Sequence, residues 1–208
     1  MRSSNRQLWK LTMPYGALAQ GRLAGSALLR FQTDRDGMAA VEFALIVPLL
    51  LMLLVGTVEF SQALTVDRRV TQIASSTADL VSRNKEISTS EVAGIMQIVG
   101  HLMRPYDPSR LRVTLLNVIA NLDDEADTTV CWSYEHNGGS GSYADGAAYP
   151  LPAGLVEPGS SAIVAEVTYD YQPIIFSYFI KTAFPLKETL YVKPRLSSYV
   201  EYNGTPCF

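Results

Sequence analysis

The run from Met38 to Val58 constrains this chain more than any other feature: 21 residues that are apolar on almost every side, with one carboxylate, Glu42, in the first turn. As an α-helix rising 1.5 Å per residue it covers about 31 Å, which matches a hydrocarbon core of about 30 Å. The segment Leu49-Leu50-Leu51-Met52-Leu53-Leu54-Val55 is apolar on every face, which the core helix of a small two-layer domain seldom needs. A membrane-spanning segment at about 38–58 is therefore expected. Pro48 lies inside it and removes the bond to the carbonyl of Ala44, which predicts a kink or local unwinding. Glu42 then needs a reason to be there, because an ionised side chain at mid-membrane costs about 2.5–3.5 kcal/mol even on lenient insertion scales.

Charge divides the chain at the same place. Residues 1–36 carry six cations and two anions, a balance of +4, whereas residues 38–208 carry 11 cations and 18 anions, a balance of −7. Positive charge beside a membrane segment favours the cytoplasmic side, and beyond the segment only Arg68 and Arg69 compete nearby. The reading is a basic cytoplasmic leader over residues 1–37, a single pass through the membrane, and an extracytoplasmic bulk. The leader has no sustained apolar face, and Met13 offers a second start. A standard secretory signal does not fit: the apolar core begins late, runs long, and has no small-x-small cleavage site behind it. Nucleic acid is not an expected partner, since the acidic portion lacks the clustered Lys and Arg that phosphates require.

The helical pattern continues past the membrane. Ala63, Val66, Val70, Ile73, Ala74 and Leu80 or Val81 recur at three- and four-residue steps, with no Pro or Gly from Thr57 to Arg83, so one helix is predicted over about 38–83. Arg83-Asn84-Lys85 stops it, and Ser88-Thr89-Ser90-Glu91 has capping-box spacing for a second helix over about Glu91 to Met103, with Ile95, Ile98, Val99 and Leu102 on one face. Pro105 ends that helix. Strands are then expected at Leu111 to Ile119, Thr128 to Tyr134, Ala162 to Tyr171 and Glu188 to Val192, several of them alternating as in an antiparallel sheet with one face covered by the helices. His136 to Ser161 reads as a long exposed loop rich in Gly, Ser, Pro and Tyr. The expected class is α+β: the long helix, then a small domain over 84–208 with a second helix and about four antiparallel strands.

Catalytic chemistry finds no constellation in the sequence. His101 and His136 have no Cys, His or carboxylate at metal-like spacing and read as solvated or capping residues. Asp123-Asp124-Glu125-Ala126-Asp127 lacks the spacing and central glycine of a calcium loop and reads as a solvated turn. No enzyme, metal or cofactor is expected. The cysteines are Cys131 and Cys207, both beyond the membrane segment. An even pair outside the cytoplasm reads as a disulfide, against the alternative of two free thiols. The C-terminal half is dense in tyrosines, among them Tyr169, Tyr171, Tyr178, Tyr191, Tyr199 and Tyr202, which read as sheet and core residues with polar handles.

Gly37-Met38-Ala39-Ala40-Val41-Glu42-Phe43 resembles the processing site of type IV prepilins, where a membrane aspartyl peptidase cuts after a glycine and glutamate stands at +5; counted from Met38, Glu42 is that residue. Glutamate followed by the aromatic Phe43 is similar to the Flp/Tad group, and Ala40-Val41-Glu42-Phe43-Ala44-Leu45-Ile46-Val47-Pro48-Leu49-Leu50-Leu51 resembles the TadE-like pseudopilins. Tyr169-Asp170-Tyr171-Gln172-Pro173 and Pro194-Arg195 look like what TadE-like chains often carry. The resemblance implies cleavage between Gly37 and Met38 by a prepilin peptidase, a registration role for Glu42 and Phe43, and partners among other pseudopilins, the major Flp-type pilin and the inner-membrane assembly platform of a tight-adherence pilus. An unprocessed single-pass assembly factor of the same machinery is the alternative. Cleavage would leave an α-amino group on Met38 with a reference pKa of about 7.7–8.0, mostly charged at neutral pH and able to partner Glu42 one helical turn away or on a neighbouring subunit.

Overall fold

The computed structural model describes residues 36–139, 143–175, 177 and 181–208. The basic leader and Met13 lie outside them, except for Asp36 and Gly37, as does Tyr178. The chain divides into two compact units, Met1–Leu54 and Val55–Phe208.

Helix α1 runs Asp36–Ser82 and continues through Pro48. Its first part supplies the described residues of the first unit. There the large apolar side chains from Met38 to Leu54 are exposed, except for the half-buried Val47, and the helix is long and apolar enough to cross a membrane.

The second unit is the α+β fold. After the C-terminal part of α1 come a two-residue strand β1 (Glu86–Ile87), helix α2 (Thr89–Leu102), a 3₁₀ turn at Pro108–Arg110, and strands β2 (Leu111–Ala120), β3 (Thr128–His136), β4 (Ser161–Tyr171), β5 (Phe184–Val192) and β6 (Glu201–Tyr202). Four of the strands form one antiparallel sheet in the order β3-β2-β4-β5. The other two, β1 and β6, pair in parallel, Glu86 with Glu201 and Ile87 with Tyr202. A bulge at Asn117/Val118 shifts the β2–β3 register.

One face of the sheet carries the main core. Val66, Val70, Ile73, Ala74, Ala78 and Val81 from α1, and Val92, Met96 and Val99 from α2, pack with Leu111, Val113, Leu115, Ile163, Ala165, Val167 and Tyr169 of β2 and β4. The helical three- and four-residue steps and the strand alternation both converge on this layer. Helix α2 begins where its capping box places it: the Ser88 hydroxyl accepts from the Glu91 amide, and the Ser88 amide donates to the Glu91 carboxylate (2.8 Å). The Ser88 amide first, and then the Ser88 hydroxyl donating to the same carboxylate (2.8 Å), hold the Glu91 carboxyl below the usual range.

The opposite sheet face departs from expectation. The segment read as a long exposed loop folds onto it: Tyr149 and Val156 are buried, Tyr149 clustering with Leu116, Val118, Val130 and Val164, and Val156 with Ala120 and Ala162. Apolar residues spaced through a Gly/Ser/Pro-rich stretch pull it down wherever a hydrophobic strand face is otherwise bare. Backbone bonds from Val130 to Ala147 (2.8 Å) and from Tyr149 to Thr128 (3.1 Å) fasten it to β3. Strand β2 is consequently buried almost throughout.

Candidate assembly segment and its anchors

The expected processing residues all lie on α1. Gly37 is in its first turn, where backbone N–H groups have no upstream partner within the helix and the turn frays readily. A Cβ added to Gly37 would meet nothing within 4 Å among the described residues, and its φ is not left-handed. Neither space nor backbone conformation therefore calls for glycine. Met38 and Glu42 stand four residues apart, which puts them on one helix face one turn from each other. Glu42 and Phe43 are both exposed, so this turn presents a carboxylate and an aromatic ring outward from an apolar helix.

Glu59, directly after the apolar run, is the residue that the sequence reading passed over. It is buried, and among the described residues its carboxylate collects three donors: the Tyr171 hydroxyl to Oε1 (3.0 Å), the Ile174 amide to Oε1 (2.6 Å) and the Ile175 amide to Oε2 (2.9 Å). Burial, then the hydrogen bond to Glu59 and its charge, push the Tyr171 phenol up to about 12. The only hint available in sequence was a carboxylate abutting an apolar helix. Its partners are more than a hundred residues away.

Further anchors tie α1 to the rest of the second unit. Arg69 Nη1 donates to the carbonyls of Leu102 (2.9 Å) and Arg104 (2.7 Å), and its guanidinium lies over the Tyr106 ring. The Tyr106 hydroxyl in turn donates to Gln62 (3.0 Å). Near the helix end Asp79 pairs with both Arg83 and Arg195, and the Arg195 amide donates to the Ser82 carbonyl (2.9 Å). The two C-terminal phrases singled out in the sequence thus meet α1 at opposite ends of its packed portion. Tyr171 meets Glu59, and Arg195 meets Asp79.

Cys131 and Cys207 are joined in a disulfide. The terminal segment it holds is also fixed by Trp132 Nε1 and Asn117 Nδ2, which both donate to the Val200 carbonyl (2.7 and 2.9 Å), and by stacking of Tyr202 on Trp132. Thr89 and Asn203 bond each other beside the start of α2.

Among the described residues, the two histidines and the acidic turn do not converge on one site. His101 is exposed in the last turn of α2, and His136 ends β3. Residues Asp123 to Asp127 form an exposed turn between β2 and β3, held by Asn121 to Asp127 (3.0 Å) and by the Ala126 amide to Asp124 (2.9 Å). On the loop-covered face Glu166 accepts from Tyr149 (2.7 Å) and Tyr143 (3.2 Å); burial first and Glu166 second raise both phenols. That cluster pins the folded loop to β4.

Compared with known proteins, residues 37–79 match the family model described as TadE-like protein. No curated protein and no solved structure matches the chain. The matched residues span the glycine, Glu42, the apolar run, Glu59 and the helix as far as Asp79.

Proposed function

From the TadE-like segment at residues 37–79 we propose that this protein is a minor pseudopilin acting in assembly of a tight-adherence pilus, a structural rather than an enzymatic component. A prepilin peptidase cuts it between Gly37 and Met38. The basic leader stays cytoplasmic, residues 38–58 cross the inner membrane once, and the α+β unit stands outside it, where a disulfide such as Cys131–Cys207 persists. Its partners are other pseudopilins, the major pilin and the membrane assembly platform.

The observation that carries this reading is Gly37. The fold has room for a side chain there and no left-handed backbone, so the glycine answers to something outside the fold. A peptidase cleft that admits an unencumbered backbone is such a thing. Glu42 supplies the second half of the argument. After cleavage the new Met38 amine lies one turn from it, and the pair, within a chain or between neighbours, offsets the cost of a carboxylate in lipid. Pairing between subunits also fixes the stagger of adjacent helices.

Edman sequencing of the membrane-extracted protein is expected to begin at Met38, and Gly37→Val is expected to retain the leader and run larger on a gel. A mature terminus upstream of Met38 overturns processing and leaves the unprocessed assembly factor.

A further inference from the structure

The turn after β4 places two isoleucines where a water-facing loop has no use for them. Ile174 is 62% and Ile175 43% exposed, while Pro173 beneath them is buried. Between Asp170 and Lys181 the chain has no charged residue. The backbone of the turn is pinned rather than loose. The amides of Ile174 and Ile175 donate to the two oxygens of Glu59, and the Ser177 hydroxyl donates to the Ile174 carbonyl (3.0 Å). Both side chains are thus held outward at the level of Glu59 on α1.

That level is informative because Glu59 follows the apolar run with no residue between. On the helix beside it Val58, Phe60 and Leu64 are also exposed, Phe60 at 66%. A helix rises about 1.5 Å per residue, so these side chains lie within about two turns of the end of the run. The environment that the run itself brings to this level is the bilayer boundary. Lipid-facing apolar side chains there enter about 5–10 Å into the zone between headgroups and acyl chains. The same arrangement explains how Glu59 tolerates the position: Tyr171, Ile174 and Ile175 meet its carboxylate with protein donors where water is being left behind.

We propose that the Ile174–Ile175 turn, fixed by Glu59 and flanked by Phe60, is a second membrane contact. It seats the extracytoplasmic unit on the outer leaflet. The proposal rests on reading residues 38–58 as a membrane span. Its occupant is lipid, not a neighbouring pilin helix.

The test uses the full chain in phosphatidylcholine vesicles, with the native cysteines left bonded and one added cysteine carrying an environment-sensitive fluorophore, at Ile175→Cys, Phe43→Cys or Ile98→Cys. Ile98 is an exposed position on α2. With nitroxide-labelled lipid present, the labels at 175 and 43 are expected to emit further to the blue and lose intensity, and the label at 98 to do neither. A label at 175 that behaves like the one at 98, while the label at 43 is quenched, overturns the proposal and leaves the span intact. An unquenched label at 43 overturns the span and the proposal with it. Quenching or a blue shift at 175 that appears only after purified major pilin is added also overturns it, assigning the turn to a protein partner.

Discussion

Glu59 gathers hydrogen bonds from Tyr171, Ile174 and Ile175 on one buried carboxylate. Hydrogen bonds to a charged group are worth about 1.5–3 kcal/mol each and are not additive, so Glu59→Ala is expected to destabilise the second unit by at least about 2 kcal/mol, read from urea unfolding in detergent by near-ultraviolet circular dichroism. An effect within about 0.5 kcal/mol, the range of an ordinary surface change, would show that the anchor is not needed. Tyr171 gives the same contact a pH dependence. Its phenol is pushed up to about 12 in the fold against 10.0 in a free side chain, so the neutral form is the one the fold favours. The stability this contributes is fully present below pH 10 and is lost as pH rises towards 12. Alkaline unfolding is therefore expected to begin above pH 10, and Tyr171→Phe, which has no proton to lose, should weaken that dependence while lowering stability at neutral pH. At this scale the sequence draws attention to Glu42, a carboxylate in an apolar run, and to Gly37 at the edge of that run. It hid Glu59, because the amides that justify it are at the far end of the sheet.

Among the elements, local chemistry was the more legible part. The capping box Ser88–Glu91 opens α2, and the strand positions of β2 to β4 agree within two residues with the alternation in the sequence. Strand β5 begins at Phe184 rather than near Glu188, because Phe184 and Pro185 pair with Tyr171 and Asp170 across the ladder and no alternation marks them. The loop that covers the second sheet face, and the two-residue β1–β6 pair, depend on contacts distant in sequence and left no periodic trace. The disulfide closes that last arrangement over a separation of 76 residues. Joining such a span removes denatured-state entropy, and losing a native bridge costs about 2–5 kcal/mol. Cys207→Ser is thus expected to lower the urea midpoint clearly. The damage should be greatest around Trp132, whose ring stacks on Tyr202 and whose Nε1 donates to Val200, so Trp fluorescence should shift to the red well before the far-ultraviolet signal falls.

On the scale of the molecule, the main hydrophobic core takes its α1 residues from Val66 onward, with Ala63 packed at its margin. A chain reduced to residues 55–208 retains Glu59 with its three donors, the Arg69 and Asp79 anchors, both helices of the core and the disulfide. Cutting after α1 instead removes Val66, Val70, Ile73 and Val81, all at most 1% exposed. Each such side chain contributes about 1.5–3 kcal/mol by burial, and four of them rival the 5–15 kcal/mol that holds a domain together. Residues 55–208, produced in an oxidising compartment and kept in mild detergent for Phe60 and Leu64, are therefore expected to unfold cooperatively with a near-ultraviolet spectrum like that of the full chain. Residues 84–208 should show no cooperative transition, because the sheet face those side chains cover would stand open to water. Cooperative folding of the shorter piece would mean that α1 only leans on the sheet. Failure of the longer one would mean that the apolar run contributes to the fold of the second unit itself.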